Sequence, residues 1–143
     1  MNRNLVGVLL VAILVAAGVF FWTQQGDVST AEAPQQMGGP LVDVTLVEMT
    51  GSAKIGAQIY TAKCAACHGE NAAGRDGFGP PFIHKVYEPN HHGDFAFMRA
   101  PRQGVTAHHW PFGNMPPIEG LTDGDIKQII DYVRTLQRAN GIG

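Results

Sequence analysis

The sequence predicts an all-α domain behind one N-terminal transmembrane helix, and three observations carry that prediction. Near the C-terminus, LTDGDIKQIIDYVRTLQRANG sets Ile126, Ile129, Ile130, Val133 and Leu136 on one face, the 3.6-residue period of a core-facing helix. An earlier run, SAKIGAQIYTAK, repeats apolar residues at Ile55, Ile59 and Ala62 beside Tyr60. No convincing pair of alternating segments suggests strands, so the layers are helical.

Each element has its own signal. Leu5 to Trp22 are eighteen consecutive residues without a charge, long enough to cross most of a bilayer as a helix. Arg3 precedes them, whereas Thr23 to Ala53 hold four acids and no Lys or Arg. The positive-inside rule therefore puts the C-terminal domain outside the cytoplasm. The competing reading is a cleaved export signal with its processing site at Ala31–Ala33, but the apolar run is long for a signal and Pro34 follows unfavourably. The chain thus divides into an anchor at 1–22, a flexible tether at 23–50 and a domain at 51–143. Residues 23–40 are polar and rich in Gly, Pro and Gln, a composition that buries no core. Leu41 to Thr50 alternate in part and suit extended chain lying on the domain.

The first domain helix starts at the N-cap residue Ser52 and runs into CAACHG. DFAFMRA (Asp94 to Ala100) suggests a short helix stopped by Pro101. The last helix is capped at Thr122 or Asp123 and ends near Gly141. Charge excludes one class of partner. From Gly51 onward nine Lys and Arg stand against eight Asp and Glu, with no basic stripe, so nucleic acid is not expected.

The only two cysteines, Cys64 and Cys67, flank two alanines and are followed by His68. Thiols at i and i+3 fall on one side of a helical turn, spaced to form thioethers with the two vinyl groups of one haem, and His68 can reach the iron. A redox dithiol would want a βαβ context, which is absent, and a zinc site would have to recruit other histidines. An iron that shuttles electrons needs a second axial ligand, and methionine sulfur favours the reduced state. Met98 lies in FAFMRA, where helical spacing explains it as packing. Met115 lies in WPFGNMPPIEG, a loop stiffened by proline and suited to presenting a ligand.

CAACHG, GPPF (Gly79 to Phe82), GNMPP (Gly113 to Pro117) and the closing IIDYVRTLQR occur in that order between Ser52 and Ala139. In this the sequence resembles the class I c-type cytochromes, in particular the small single-haem bacterial ones. The resemblance implies a haem c held by Cys64 and Cys67, with His68 as proximal and Met115 as distal ligand. It also implies that the Pro80 carbonyl accepts a hydrogen bond from the other nitrogen of His68, and that the terminal helices cross with Gly56 against the Tyr132 face. The pairs His91-His92 and His108-His109, the latter followed by Trp110, depart from the pattern. They suit a second metal, copper among the candidates, or an alternative axial ligand, or else loop histidines near the haem edge. The last is preferred, because adjacent histidines tend to point apart and no acid or thiol completes a site. His84 is read the same way, and Trp110, Arg99 and Arg102 are candidate neighbours of the haem propionates.

The functional expectation is a single-electron carrier anchored in a bacterial inner membrane. Its haem domain would lie in the periplasm, serving redox partners of the respiratory chain and no small-molecule substrate. The alternatives are a haem enzyme with an open axial position, reducing peroxide or a nitrogen oxide, and a copper-linked cytochrome using the histidine pairs.

Overall fold

Four helices and two short 3-10 turns carry the described chain: α1 (Gly51–Lys63), α2 (Ala65–His68), a turn at Glu70–Ala72, another at Lys85–Tyr87, α3 (Asp94–Gln103) and α4 (Asp123–Ala139). The computed structural model describes Phe20 and residues 38–143. Among them there is no strand beyond two isolated bridges, Arg75 with Gly79 and Val105 with Met115, and no helix long and apolar enough to cross a membrane. The anchor expected at 1–22, Phe20 apart, lies outside the described residues, as does the tether from 23 to 37.

The frame is the crossing of α1 and α4. A Cβ on Gly56 would lie 1.8 Å from the Gln128 carbonyl oxygen and 2.9 Å from the Ile129 nitrogen, so only glycine lets the two backbones approach this closely. The contact expected with the Tyr132 face is made one turn earlier on α4, and Tyr132 instead meets Tyr60, with ring centroids 5.2 Å apart. The buried face of α1 is Ala53, Gly56 and Tyr60, whereas Ile55 is 47% exposed. The tight crossing explains the difference: small residues must line the contact, and Ile55 is turned aside while Ile59 packs at the edge of the core. Thr50 rather than Ser52 occupies the N-cap, and the Ser52 hydroxyl donates to Asp131 on α4.

In α4 all five expected residues are buried, joined by Tyr132, Arg134 and Gln137. Its start is a capping box: Asp125 N donates to the Thr122 hydroxyl, and the Asp125 carboxylate accepts from Thr122 N at 2.8 Å, satisfying two otherwise orphaned donors. The core gathers Tyr60, Ala72, Ile83, Ile129, Tyr132, Val133 and Leu136, each large apolar side chain contributing about 1.5–3 kcal/mol of transfer free energy.

One element differs from expectation. Pro101 does not stop α3, which runs on to Gln103; in the last turn its missing N–H costs a single bond, and the helix closes with Gly104 N on the Ala100 carbonyl at 2.8 Å. Within the segment placed in the tether at 23–50, Leu41 to Thr50 lie on the domain, as their partial alternation suggests, and form a strap. Leu41 N and Val42 N donate to the Ala73 carbonyl at 3.0 and 3.2 Å, Thr45 exchanges two bonds with the Asn140 amide, and Val42, Val44 and Met49 pack on the core.

Candidate functional site

Cys64 is the hinge between α1 and α2. Its N–H still donates to the Tyr60 carbonyl at 2.8 Å, and its carbonyl accepts from Cys67 N and His68 N at 3.1 and 2.9 Å. One helical turn therefore holds both thiols and the imidazole. Both thiols are free, and burial, with Cys67 adding to it, pushes the Cys64 thiol up to about 11. Below the turn the Tyr60 hydroxyl donates to the carbonyls of His68 and Gly69 at 3.1 and 3.0 Å, and burial raises this phenol far above its ordinary range.

His68 is buried, and its Nδ1 lies 3.0 Å from the Pro80 carbonyl oxygen. A carbonyl only accepts, so Nδ1 carries the hydrogen and Nε2 is left with a bare lone pair. Burial lowers the proton affinity of the ring, against the opposing Pro80 bond. The chemistry of GPPF is spatial: a Cβ on Gly79 would sit 2.6 Å from the Cys67 carbonyl oxygen, so glycine brings the loop against α2 and puts Pro80 under the imidazole. Phe82 then stacks on His68, with centroids 4.2 Å apart and planes at 27°.

Met115 is positioned by an element the sequence did not show. It forms a two-bond bridge with Val105, N–H to carbonyl each way at 2.9 Å, and the next turn is tied by the Asn114 side chain accepting from Ala107 N at 2.9 Å. Cys64, Cys67, His68, Pro80 and Met115 all line one cavity of about 250 Å³, closed by Phe82, Phe97 and the α4 isoleucines Ile126, Ile129 and Ile130. Met98 is half-buried and does not line it. The Trp110 indole also lines it, its N–H buried without an acceptor in hydrogen-bond geometry. The Tyr87 hydroxyl is close enough to feel that indole, which partly opposes the burial that pushes the phenol up to about 12. Arg99 is at the cavity rim, whereas Arg102 does not line the cavity and pairs with Asp123.

Arg134 is a structural node that sequence reasoning missed. Its side chain is 9% exposed and its Nε donates to Asp94 at 2.8 Å. The fork also donates to the carbonyls of Tyr87 and His92, each at 2.7 Å, and to the Gln137 side chain at 2.6 Å. It thereby holds the loop that carries His91 and His92.

The histidine pairs, expected to point apart, converge. His91 Nε2 and His109 Nε2 are 3.3 Å apart, and the His108 and His109 ring centroids are separated by 4.4 Å. Burial first, then its charged neighbours, holds His92 below the usual imidazole range; loss of water around the ring and the other histidines do the same to His109. His84 stands aside as a cap, its Nδ1 accepting from Val86 N at 3.2 Å.

A helical fold closed around an apolar cavity, with two free thiols and a buried imidazole from one turn, fits a covalently held haem. Residues 53–137 match the cytochrome c family, and the chain belongs to it: a class I c-type cytochrome carrying haem c through Cys64 and Cys67. Over 90 residues it is 32% identical to the cbb3-type cytochrome c oxidase subunit FixPc of Rhizobium leguminosarum bv. viciae, a match that takes in 60% of this chain and 28% of that protein. The chain thus spans less than a third of that relative's length.

Proposed function

We propose that the protein is a membrane-anchored carrier that passes single electrons between respiratory-chain partners on the periplasmic side of a bacterial inner membrane, with His68 and Met115 as axial ligands. The observation that carries the ligand assignment is that Met115, held by its bridge to Val105, lines the same cavity as His68, Cys64 and Cys67. Bound haem supplies a reversible one-electron couple. The chain's own residues do the rest. Cys64 and Cys67 fix the group's edge, and Pro80 holds the His68 tautomer with Nε2 toward the cavity, a contact of the kind that orients a ligating imidazole. The apolar wall of Phe82, Phe97 and the isoleucines excludes water and so stabilises the less charged reduced state. The FixPc relative, an oxidase subunit by its name, supports respiratory partners, and the apolar run Leu5 to Trp22 behind Arg3 supports the anchor and its orientation.

The test is the visible and near-infrared spectrum of the haem-loaded protein. Wild type should show the sulfur-to-iron charge-transfer band and bind carbon monoxide poorly; Met115→Ala should lose the band and bind carbon monoxide readily. A wild type that already binds it would leave the sixth position open and sink the carrier reading. Alkaline carbonate should leave the protein in the membrane fraction, and its release would show that the first residues are a cleaved signal.

A further inference from the structure

We propose that His91, His92 and His109, with His108 beside them, form a second metal site on the wall of the haem cavity, and that its preferred ion is copper(II). Each of the three contributes one ring nitrogen, and these nitrogens all lie within 4.8 Å of one another. The closest pair, His91 Nε2 and His109 Nε2, is 3.3 Å apart. With metal–nitrogen bonds of about 2.0–2.1 Å, the edge between two ligands of a tetrahedral ion is about 3.3 Å and the diagonal of a square-planar one about 4.1 Å. One edge is thus at bonding separation already. The widest separation, 4.8 Å, exceeds the square-planar diagonal by about 0.7 Å and the tetrahedral edge by about 1.5 Å, shifts that rotations of half-buried and exposed rings can make.

The rings are also prepared as ligands. His92 Nδ1 lies 2.6 Å from the Val86 carbonyl and His108 Nδ1 lies 2.8 Å from the Thr106 carbonyl. Each Nδ1 therefore carries the hydrogen and each Nε2 keeps its lone pair, the arrangement that orients metal-bound histidines. It repeats what Pro80 does for His68. The platform is fixed on both sides: the Glu88 carbonyl accepts from His91 N and His92 N at 3.0 and 2.9 Å, and Arg134 holds the His92 carbonyl at 2.7 Å. Opposite, the Val105–Met115 bridge and Asn114 pin the loop bearing His108 and His109.

The donor set selects the ion. Neutral imidazoles without a thiolate or a carboxylate suit copper, nickel and zinc rather than calcium or magnesium, and among divalent first-row ions copper binds such nitrogen sites most tightly. The site rests on Met115, and none of these histidines, being the distal haem ligand, since His92, His108 and His109 line the same cavity.

The experiment uses the full-length protein in detergent with its haem attached, so that Cys64 and Cys67 are blocked as thioethers. Wild type given a small excess of copper(II) and desalted should retain one copper per haem. Its electron paramagnetic resonance spectrum should show hyperfine splitting from at least three nitrogens. His91→Ala changes an exposed residue that does not line the haem cavity and should leave the haem spectrum unaltered, while copper affinity falls at least about tenfold. No stoichiometric retention by wild type, coupling to fewer than three nitrogens, equal retention by the variant, or displacement of the copper by equimolar zinc would each overturn the assignment.

Discussion

At the scale of single residues, the haem side of the site is made by short-range sterics. Gly79 has nothing chemical to contribute, yet its missing side chain lets Pro80 reach His68. Gly79→Ala would put a Cβ 2.6 Å from the Cys67 carbonyl oxygen, and backbone on both sides leaves no flexible group to yield. The loop must move, at about 1–3 kcal/mol, and the carbonyl moves with it. We expect the denaturation midpoint of the haem-loaded variant to fall accordingly, and the His68 Nδ1 proton resonance to lose its hydrogen-bonded shift. An unchanged resonance would mean that Pro80 is held there by something other than its approach through Gly79. The histidine cluster has the opposite character. CAACH was legible because its chemistry sits in five consecutive residues. His91 and His109 are eighteen residues apart in two loops with no period, so no spacing rule could show that they face each other.

At the scale of elements, the helix crossing and the helix cap make separable predictions. Gly56→Ala would drive a Cβ to 1.8 Å from the Gln128 carbonyl oxygen, so α1 and α4 must separate along the contact that also aligns Tyr60 with Tyr132. The expected cost is about 3 kcal/mol, or roughly 12–24 °C in Tm for a domain of this size, read by circular dichroism; a loss of under about 1 kcal/mol would show that the crossing has slack. The cap is a matter of charge. The Asp125 carboxyl is held below its ordinary range first by the Thr122 hydroxyl and then by the Thr122 N–H. A folded-state value depressed below 3.8 favours the ionised form in the fold, so its stabilisation is full above the ordinary carboxylate range and lost as pH falls through the folded value. Asp125→Asn should therefore be less stable than wild type at pH 7, with the gap closing below about pH 4. A gap independent of pH would assign the effect to shape alone. Of these elements the sequence showed α4 whole, because a wide apolar stripe with caps at both ends admits one interpretation. In α1 it found Tyr60 and Ile59 but not Ala53, and put the exposed Ile55 on the buried face, because at a tight crossing small residues line the contact whatever their rank in hydrophobicity.

At the scale of the whole molecule, the site depends on a relay of loops that starts far from it in sequence. Asn71 and Ala72 adopt positive φ, 55° and 61°, a left-handed conformation that costs a non-glycine residue about 1–3 kcal/mol and persists only if its surroundings enforce it. Two sets of bonds to the turn's carbonyls are among those surroundings. On one side Leu41 N and Val42 N of the strap hold the Ala73 carbonyl, and on the other the Ala72 carbonyl accepts from Phe82 N at 2.9 Å. Phe82 in turn stacks on His68. The family match begins at residue 53, and partial alternation was all the sequence offered for Leu41–Thr50, since a strap whose partners are loop carbonyls has neither helical nor sheet period. Its removal is thus a test of the relay. A chain beginning at Gly51 loses three partly buried apolar side chains, Val42, Val44 and Met49, worth about 3 kcal/mol if each is half-buried, and frees the strained turn behind His68. Compared with a chain beginning at Gly38, it should melt about 12–24 °C lower, and its amide protons at Phe82 and Gly74 should exchange faster than those in the middle of α4. If the two chains melted together, the strap would be a passenger and the strained turn would be held by the Phe82 side alone. If only the melting temperature fell, with Phe82 exchange unchanged, the strap would act by burial without bracing His68. Faster exchange at Phe82 and Gly74 is therefore the observation that separates a brace from a cover.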